Sequence, residues 1–121
     1  MHNLKDSSEN YLEAIYILTN TKGHVRSVDI ANYLDLSRPS VSKAMKKLVE
    51  EGSIEMMENG QIILTPLGAR VGEEINDRHQ FLKRMLISVG VSEAVAEDDA
   101  CKIEHAISRE SLRQLKAHFE K

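Results

Sequence analysis

Cys101, Glu104 and His105 stand three and four residues apart, a spacing that puts them on one face if the segment is helical. A thiolate, a carboxylate and an imidazole pointing together would make a divalent-metal site of borderline-soft character. His79, on an apolar helical stripe of its own, is the remaining nitrogen donor. Asn10 and Glu13, spaced by three near the start of the chain, can add oxygen ligands. Each residue also has a plainer use: Cys101 as a small buried apolar group, His79 as a hydrogen-bonded core residue, Glu104 as a partner of Lys102.

A second group suits phosphate rather than metal. The chain carries 16 basic and 19 acidic side chains, a formal charge of -3, so it has no overall excess with which to attract polyanions. The segment from Ser37 to Leu48 is different, because it holds Arg38, Lys43, Lys46 and Lys47 and no acidic residue. A local cationic face is what contact with a nucleic-acid backbone requires.

These groups need elements to hold them. Asp6 to Leu18 reads as a first helix, with Asp6, Ser7 or Ser8 as cap and Leu12, Ile15, Tyr16 and Leu18 as its apolar contacts. Thr19 to Gly23 then punctuates the chain. Val28 to Leu34 is a short second helix, and Ser37 caps a third with Pro39 in its first turn. Ile30, Leu34, Val41, Met45 and Leu48 can bury one face of this pair, with Val49 on the same repeat. Two short helices joined by Asp35-Leu36-Ser37 form a helix-turn-helix signature. Its second helix offers Lys46 and Lys47 to phosphates, and Ser40, Ser42 and Lys43 to base edges, with Ser37, Arg38 and Pro39 at the leading end.

Gly52 ends that helix, and two short strands between Ile54 and Leu64 flank Glu58-Asn59-Gly60-Gln61, a hairpin turn sequence. This hairpin carries little positive charge, so its grip on a phosphate backbone should be modest. Thr65-Pro66 opens a long helix to about Ser88, with Val71, Ile75, His79, Leu82, Leu86 and Val89 along one stripe. After Gly90, Glu93 to Lys102 is a fifth helix that continues or bends into Ile103 to Ala106. Ser108 starts a last amphipathic helix with Leu112 and Leu115.

The fold class expected is mainly α: a winged helix-turn-helix over residues 1–70, then a helical dimerisation and metal-sensing domain over residues 71–121. A chain of 121 residues supports one core, or a small module continuous with a second helical part. No apolar run is long enough to span a membrane and Met1-His2-Asn3 opens no secretory signal, so a cytoplasmic protein is expected. The single cysteine would then remain a thiol or serve as a metal ligand. Recognition helices of this size ordinarily work in symmetric pairs on double-stranded DNA, which makes a homodimer the expected assembly, with no separate protein partner.

The chain resembles the diphtheria toxin repressor family of iron- and manganese-responsive regulators, in particular its short, manganese-type class without the SH3-like domain. The resemblance rests on Tyr11-Leu12-Glu13-Ala14-Ile15-Tyr16, Ser37-Arg38-Pro39-Ser40-Val41-Ser42, Leu64-Thr65-Pro66-Leu67-Gly68, Arg78-His79 and Cys101-Lys102-Ile103-Glu104-His105, and runs from about Ser8 to Phe119. It implies that His79, Glu104 and His105 are metal ligands. Glu13 matches a carboxylate ligand of the manganese type and Cys101 the cysteine of the iron type, so the two patterns are mixed. Asn10 departs from both, Lys83 replaces a glutamate of the iron type's second metal site, and Glu97 replaces a histidine of that site. The resemblance therefore implies one principal site drawn from Glu13, His79, Cys101, Glu104 and His105, with Asn10 as a further donor.

The expected cofactor is Mn2+ or Fe2+, with Zn2+, Co2+ or Cd2+ able to bind in vitro because divalent affinity does not track cellular use. Metal would act as corepressor on a palindromic operator of uptake genes. A metal-independent dimeric winged-helix regulator is the alternative. A metal-dependent hydrolase is disfavoured, since the chain has no HExxH motif or recognisable nucleophile arrangement, and no enzyme is expected.

Overall fold

The computed structural model describes residues 8–120. Six helices and one hairpin follow in the order α1 (Ser8–Lys22), α2 (Ser27–Leu34), α3 (Arg38–Glu50), β1 (Ile54–Met56), β2 (Ile62–Leu64), α4 (Pro66–Ser88), α5 (Glu93–Ile103) and α6 (Arg109–Phe119). The fold is mainly α with an N-terminal winged helix-turn-helix, as expected. The chain forms two compact units that meet in sequence within α4, between Glu74 and Ile75.

In the first unit, Leu12 and Ile15 of α1, Ile30 of α2, Val41, Met45 and Leu48 of α3 and Ile54 and Ile62 of the hairpin make one buried cluster, with Leu34 packed at its margin. Val49 lies outside it and is exposed, because one residue past Leu48 turns about 100° around the helix. The turn between α2 and α3 closes through Asp35 in the left-handed region at φ 57°. Ser37 Oγ accepts the Ser40 N–H at 3.3 Å, capping α3.

The expected break at Thr19 to Gly23 is later than the composition suggests. Helix α1 runs on through Lys22, and Gly23, at φ 92°, ends it. Thr21 Oγ1 donates to the Ile17 carbonyl at 2.8 Å, and Lys22 pairs with Asp29 of α2. Polar residues alone do not stop a helix whose exposed last turn can satisfy them locally. The capping proposed for Asp6 or Ser7 falls outside the described residues, and Ser8 is already helical.

The strands pair antiparallel, Ile54 with Leu64 and Met56 with Ile62. Met57 to Gly60 forms the turn, with the Gly60 N–H donating to the Met57 carbonyl at 2.9 Å and Gly60 at φ 88°. The hairpin joins the module through the Ile62 N–H, which donates to the Val25 carbonyl at 2.7 Å.

Helix α4 is seated on this unit by glycine. A β-carbon on Gly68 would lie 2.0 Å from the Ser53 carbonyl oxygen, and one on Gly72 would lie 2.8 Å from the Leu12 carbonyl oxygen of α1. Gly68→Ala is expected to lower stability by about 2–3 kcal/mol, since the obstructing atoms are backbone. A denaturation midpoint equal to wild type would contradict this packing.

The second unit has its own small core of Phe81 and Leu82 from α4, Ala100 from α5 and Leu112 from α6, with Leu115 and Ile103 packed against it. Val89, expected on the α4 stripe, lies beyond the helix end and is exposed. Ser108 caps α6 by accepting the Ser111 N–H at 3.1 Å. Among the described residues no helix is long and apolar enough to cross a membrane.

Candidate metal centre and recognition helix

The segment after Lys102 bends rather than continuing. Helix α5 ends at Ile103, and Glu104 is its C-cap, with its N–H donating to the Ala100 carbonyl at 3.0 Å. Arg78 of α4 donates from Nη1 to the Glu104 carbonyl at 3.2 Å, fixing this turn to the helix that carries His79. Cys101 is therefore the helical member of the expected trio, a half-buried thiol outside any disulfide, while Glu104 and His105 project from the turn.

The turn drives Glu104 fully inward, to 0% exposure. Its Oε2 lies 3.1 Å from His79 Nδ1, and its Oε1 lies 3.4 Å from Nε2 of His105, whose side chain is 5% exposed. Lys102 does not neutralise it; that ammonium lies 3.4 Å from Asp98 Oδ2. Two ligand atoms at about 2.1–2.3 Å from one ion and roughly a right angle apart are separated by about 3 Å. The carboxylate meets His79 through one oxygen and His105 through the other, so each imidazole–carboxylate pair has donor types and a spacing that suit a divalent cation.

Asn10 and Glu13 are both buried on α1 in the first unit. Their burial agrees with the inward orientation that the sequence reading of both as oxygen donors requires.

His79 meets a second carboxylate. Its Nε2 lies 2.6 Å from Glu97 Oε2 on α5. The hydrogen bond to Glu104, reinforced by the one to Glu97 and opposed by burial, pushes the imidazole up from 6.5 to about 9. The ring is then protonated on both nitrogens at neutral pH and donates to both acids. Because the folded value is raised, its stabilisation is fully present below pH 6.5 and is lost as pH rises toward about 9. With chelator present, the denaturation midpoint is expected to fall across that window and the slope to disappear in His79→Gln. An equally steep slope in the variant would remove His79 as its cause.

On α3 and at its cap the eight residues expected to meet DNA, Ser37, Arg38, Pro39, Ser40, Ser42, Lys43, Lys46 and Lys47, are all exposed. Val41, Met45 and Leu48 hold the opposite face in the core. Ser37 has a structural duty as the cap, and its hydroxyl also donates to Ser40 Oγ at 2.9 Å. The wing presents Glu55, Glu58, Met56 and Met57 to solvent; the hairpin has no cation of its own, and the exposed Arg26 places its guanidinium beside Gly60 of the turn.

Two family profiles divide the chain between them. The profile described as iron dependent repressor, N-terminal DNA binding domain, matches residues 3–60, and that described as iron dependent repressor, metal binding and dimerisation domain, matches residues 65–121. Transcriptional regulator MntR of Bacillus pumilus is 36% identical over 109 residues, covering 90% of this chain and 76% of the relative. The chain belongs to the diphtheria toxin repressor family.

Within this family, transcriptional regulator MntR of Salmonella typhimurium is 38% identical over 104 residues, which cover 86% of this chain and 66% of the relative. The crystal structure of IdeR from T. acidophilum superposes with a TM-score of 0.82 at 27% identity, over 95% of this chain and 55% of that one. The chain thus spans just under two thirds of the Salmonella relative's length and about half of that solved structure's. The family profile matched by residues 65–121, which include His79, Glu104 and His105, is that of a metal binding and dimerisation domain. Sequence reasoning had named His79, Glu104 and His105, but missed Arg78 and Glu97 as their supports. Arg78 was visible only as a neighbour of His79, and Glu97 only as a departure from the iron type.

Proposed function

We propose that this chain is a metal-responsive transcriptional repressor that binds a palindromic operator as a homodimer, with a divalent metal as corepressor. The observation that carries the reading is the buried Glu104 carboxylate, with His79 at 3.1 Å and His105 at 3.4 Å, in a chain that also exposes a cationic recognition helix. His79, Glu104 and His105 hold the ion, and Glu13, Cys101 and, as an oxygen donor, Asn10 complete the set that the family resemblance implies. When bound, the ion supplies a positive centre to the carboxylates and replaces the His79 proton.

Manganese or ferrous iron is the proposed metal, in keeping with the resemblance to the manganese-type class and with the carboxylates of Glu13 and Glu104. The Cys101 thiolate adds affinity for softer ions, so zinc binding in vitro would not identify the cellular metal. The regulated genes are proposed to be those of manganese or iron uptake.

Activation follows from linkage. The ion favours the DNA-competent arrangement only by as much as it binds that arrangement more tightly. Ser40, Ser42 and Lys43 then read bases, while Arg38, Lys46 and Lys47 position the helix on phosphates. The wing adds little, since Glu55 and Glu58 repel the backbone.

The deciding experiment is anaerobic calorimetric titration with Mn2+, Fe2+ and Zn2+, coupled to binding of a duplex selected from a random library, with metal and with chelator. Tighter duplex binding with metal is expected. Equal binding in both conditions would return the metal-independent regulator instead.

A further inference from the structure

His79 has two ring nitrogens and the centre needs one. Nδ1 faces Glu104 at 3.1 Å, whereas Nε2 lies 2.6 Å from Glu97 Oε2. Glu97 is itself held, because Lys83 Nζ lies 3.5 Å from the same oxygen and 3.7 Å from Glu93 Oε1. His79 and Lys83 are one turn apart on α4, as Glu93 and Glu97 are on α5, so the four groups form a ladder between two helices of the same unit.

An imidazole that ligates through one nitrogen must keep its proton on the other. An acceptor for that N–H selects the tautomer, sets the ring plane and makes the ligating nitrogen more basic. Glu97 is 54% exposed in its side chain, so burial does not hold it there; the imidazole and the ammonium do. Lys83 also places a positive charge where any second cation would have to approach Glu97 and Glu93, which disfavours these acids as ligands.

We propose that Glu97, steadied by Lys83, is a positioning residue that keeps the His79 proton on Nε2 and presents the Nδ1 lone pair to the metal. The proposal rests on the reading of His79 as a ligand. It assigns the departures at Lys83 and Glu97 a shared task, in which a fixed ammonium and a carboxylate orient one ligand.

The test uses the full chain with Zn2+ alone as a diamagnetic probe, read by calorimetry and by 15N resonances of the histidine side chains. Wild type should show the His79 proton on Nε2, protected from exchange, in the zinc-bound form. Glu97→Ala should weaken Zn2+ binding by about 10- to 100-fold and lose that protection. Glu97→Gln, whose amide oxygen still accepts, should recover most of both, and Lys83→Met should fall between wild type and Glu97→Ala.

Loss of affinity in His79→Ala with none in Glu97→Ala would overturn the positioning role alone. Unchanged binding in His79→Ala would overturn the ligand reading and the positioning role with it. Two zinc ions per wild-type chain, one of them lost in Glu97→Ala, would make Glu97 a ligand and also overturn the proposal.

Discussion

Replacing Glu104 by alanine is expected to weaken metal binding by more than about 100-fold and to leave operator affinity nearly indifferent to chelator. Even groups that merely orient a ligand change metal affinity by about 10- to 100-fold, and Glu104 is the acid that both His79 and His105 face. The fold should survive. Without Glu104, His79 can shed a proton and still bond Glu97 through Nε2, so no stranded charge remains inside.

His79→Ala is the asymmetric companion. It leaves the fully buried Glu104 carboxylate without its imidazolium, and breaking one half of a buried pair costs about 3–5 kcal/mol. The two variants should therefore lose metal response alike but differ in stability, with His79→Ala melting well below Glu104→Ala in chelator. Denaturation curves and chelator-controlled duplex binding separate the outcomes. Equal duplex affinity with metal and with chelator, in wild type and Glu104→Ala alike, would reject the mechanism.

The second large effect is expected on α3. Lys46→Ala and Lys47→Ala should each lower the salt dependence of duplex binding by about one unit of slope per subunit and weaken binding almost uniformly across sequences. Lys43→Ala should instead alter which duplexes are preferred, costing about 1–3 kcal/mol on the best site. All three lysines are exposed, so stability should stay within about 0.5 kcal/mol of wild type. Binding across a salt series, measured on the selected duplex and on a scrambled one, distinguishes the two roles. A change in preference from Lys47→Ala, with none from Lys43→Ala, would reverse the assignment.

The acidic wing makes α3 matter more. With Glu55 and Glu58 on its surface and only Arg26 beside its turn, the hairpin is expected to supply less non-specific attraction than a basic wing would. Discrimination is left to the helix, and a net charge of -3 gives no background affinity to mask it.

Much of this was legible along the chain because it is local. The Ser37 cap, the proline after Arg38, the repeat of Val41, Met45 and Leu48, and the glycines at 52, 60 and 90 each act within a turn or two. They fix helix ends and buried faces without reference to distant residues. The loop-like composition of Thr19 to Lys22 misled for the same reason: side chains there found partners in the preceding turn and in α2, which composition does not report.

For the candidate metal centre, the sequence by itself determined the donor types and their order: a histidine on a long helix, then Cys101, Glu104 and His105 at helical offsets. Only the tertiary structure decided their use. Ending α5 at Ile103 turned Glu104 into the interior, Arg78 locked that turn from across the unit, and packing of α4 against α5 gave His79 one carboxylate on each nitrogen. Spacing specifies neighbours along one helix, whereas partners 18 and 25 residues away are chosen by how two helices bury their apolar faces.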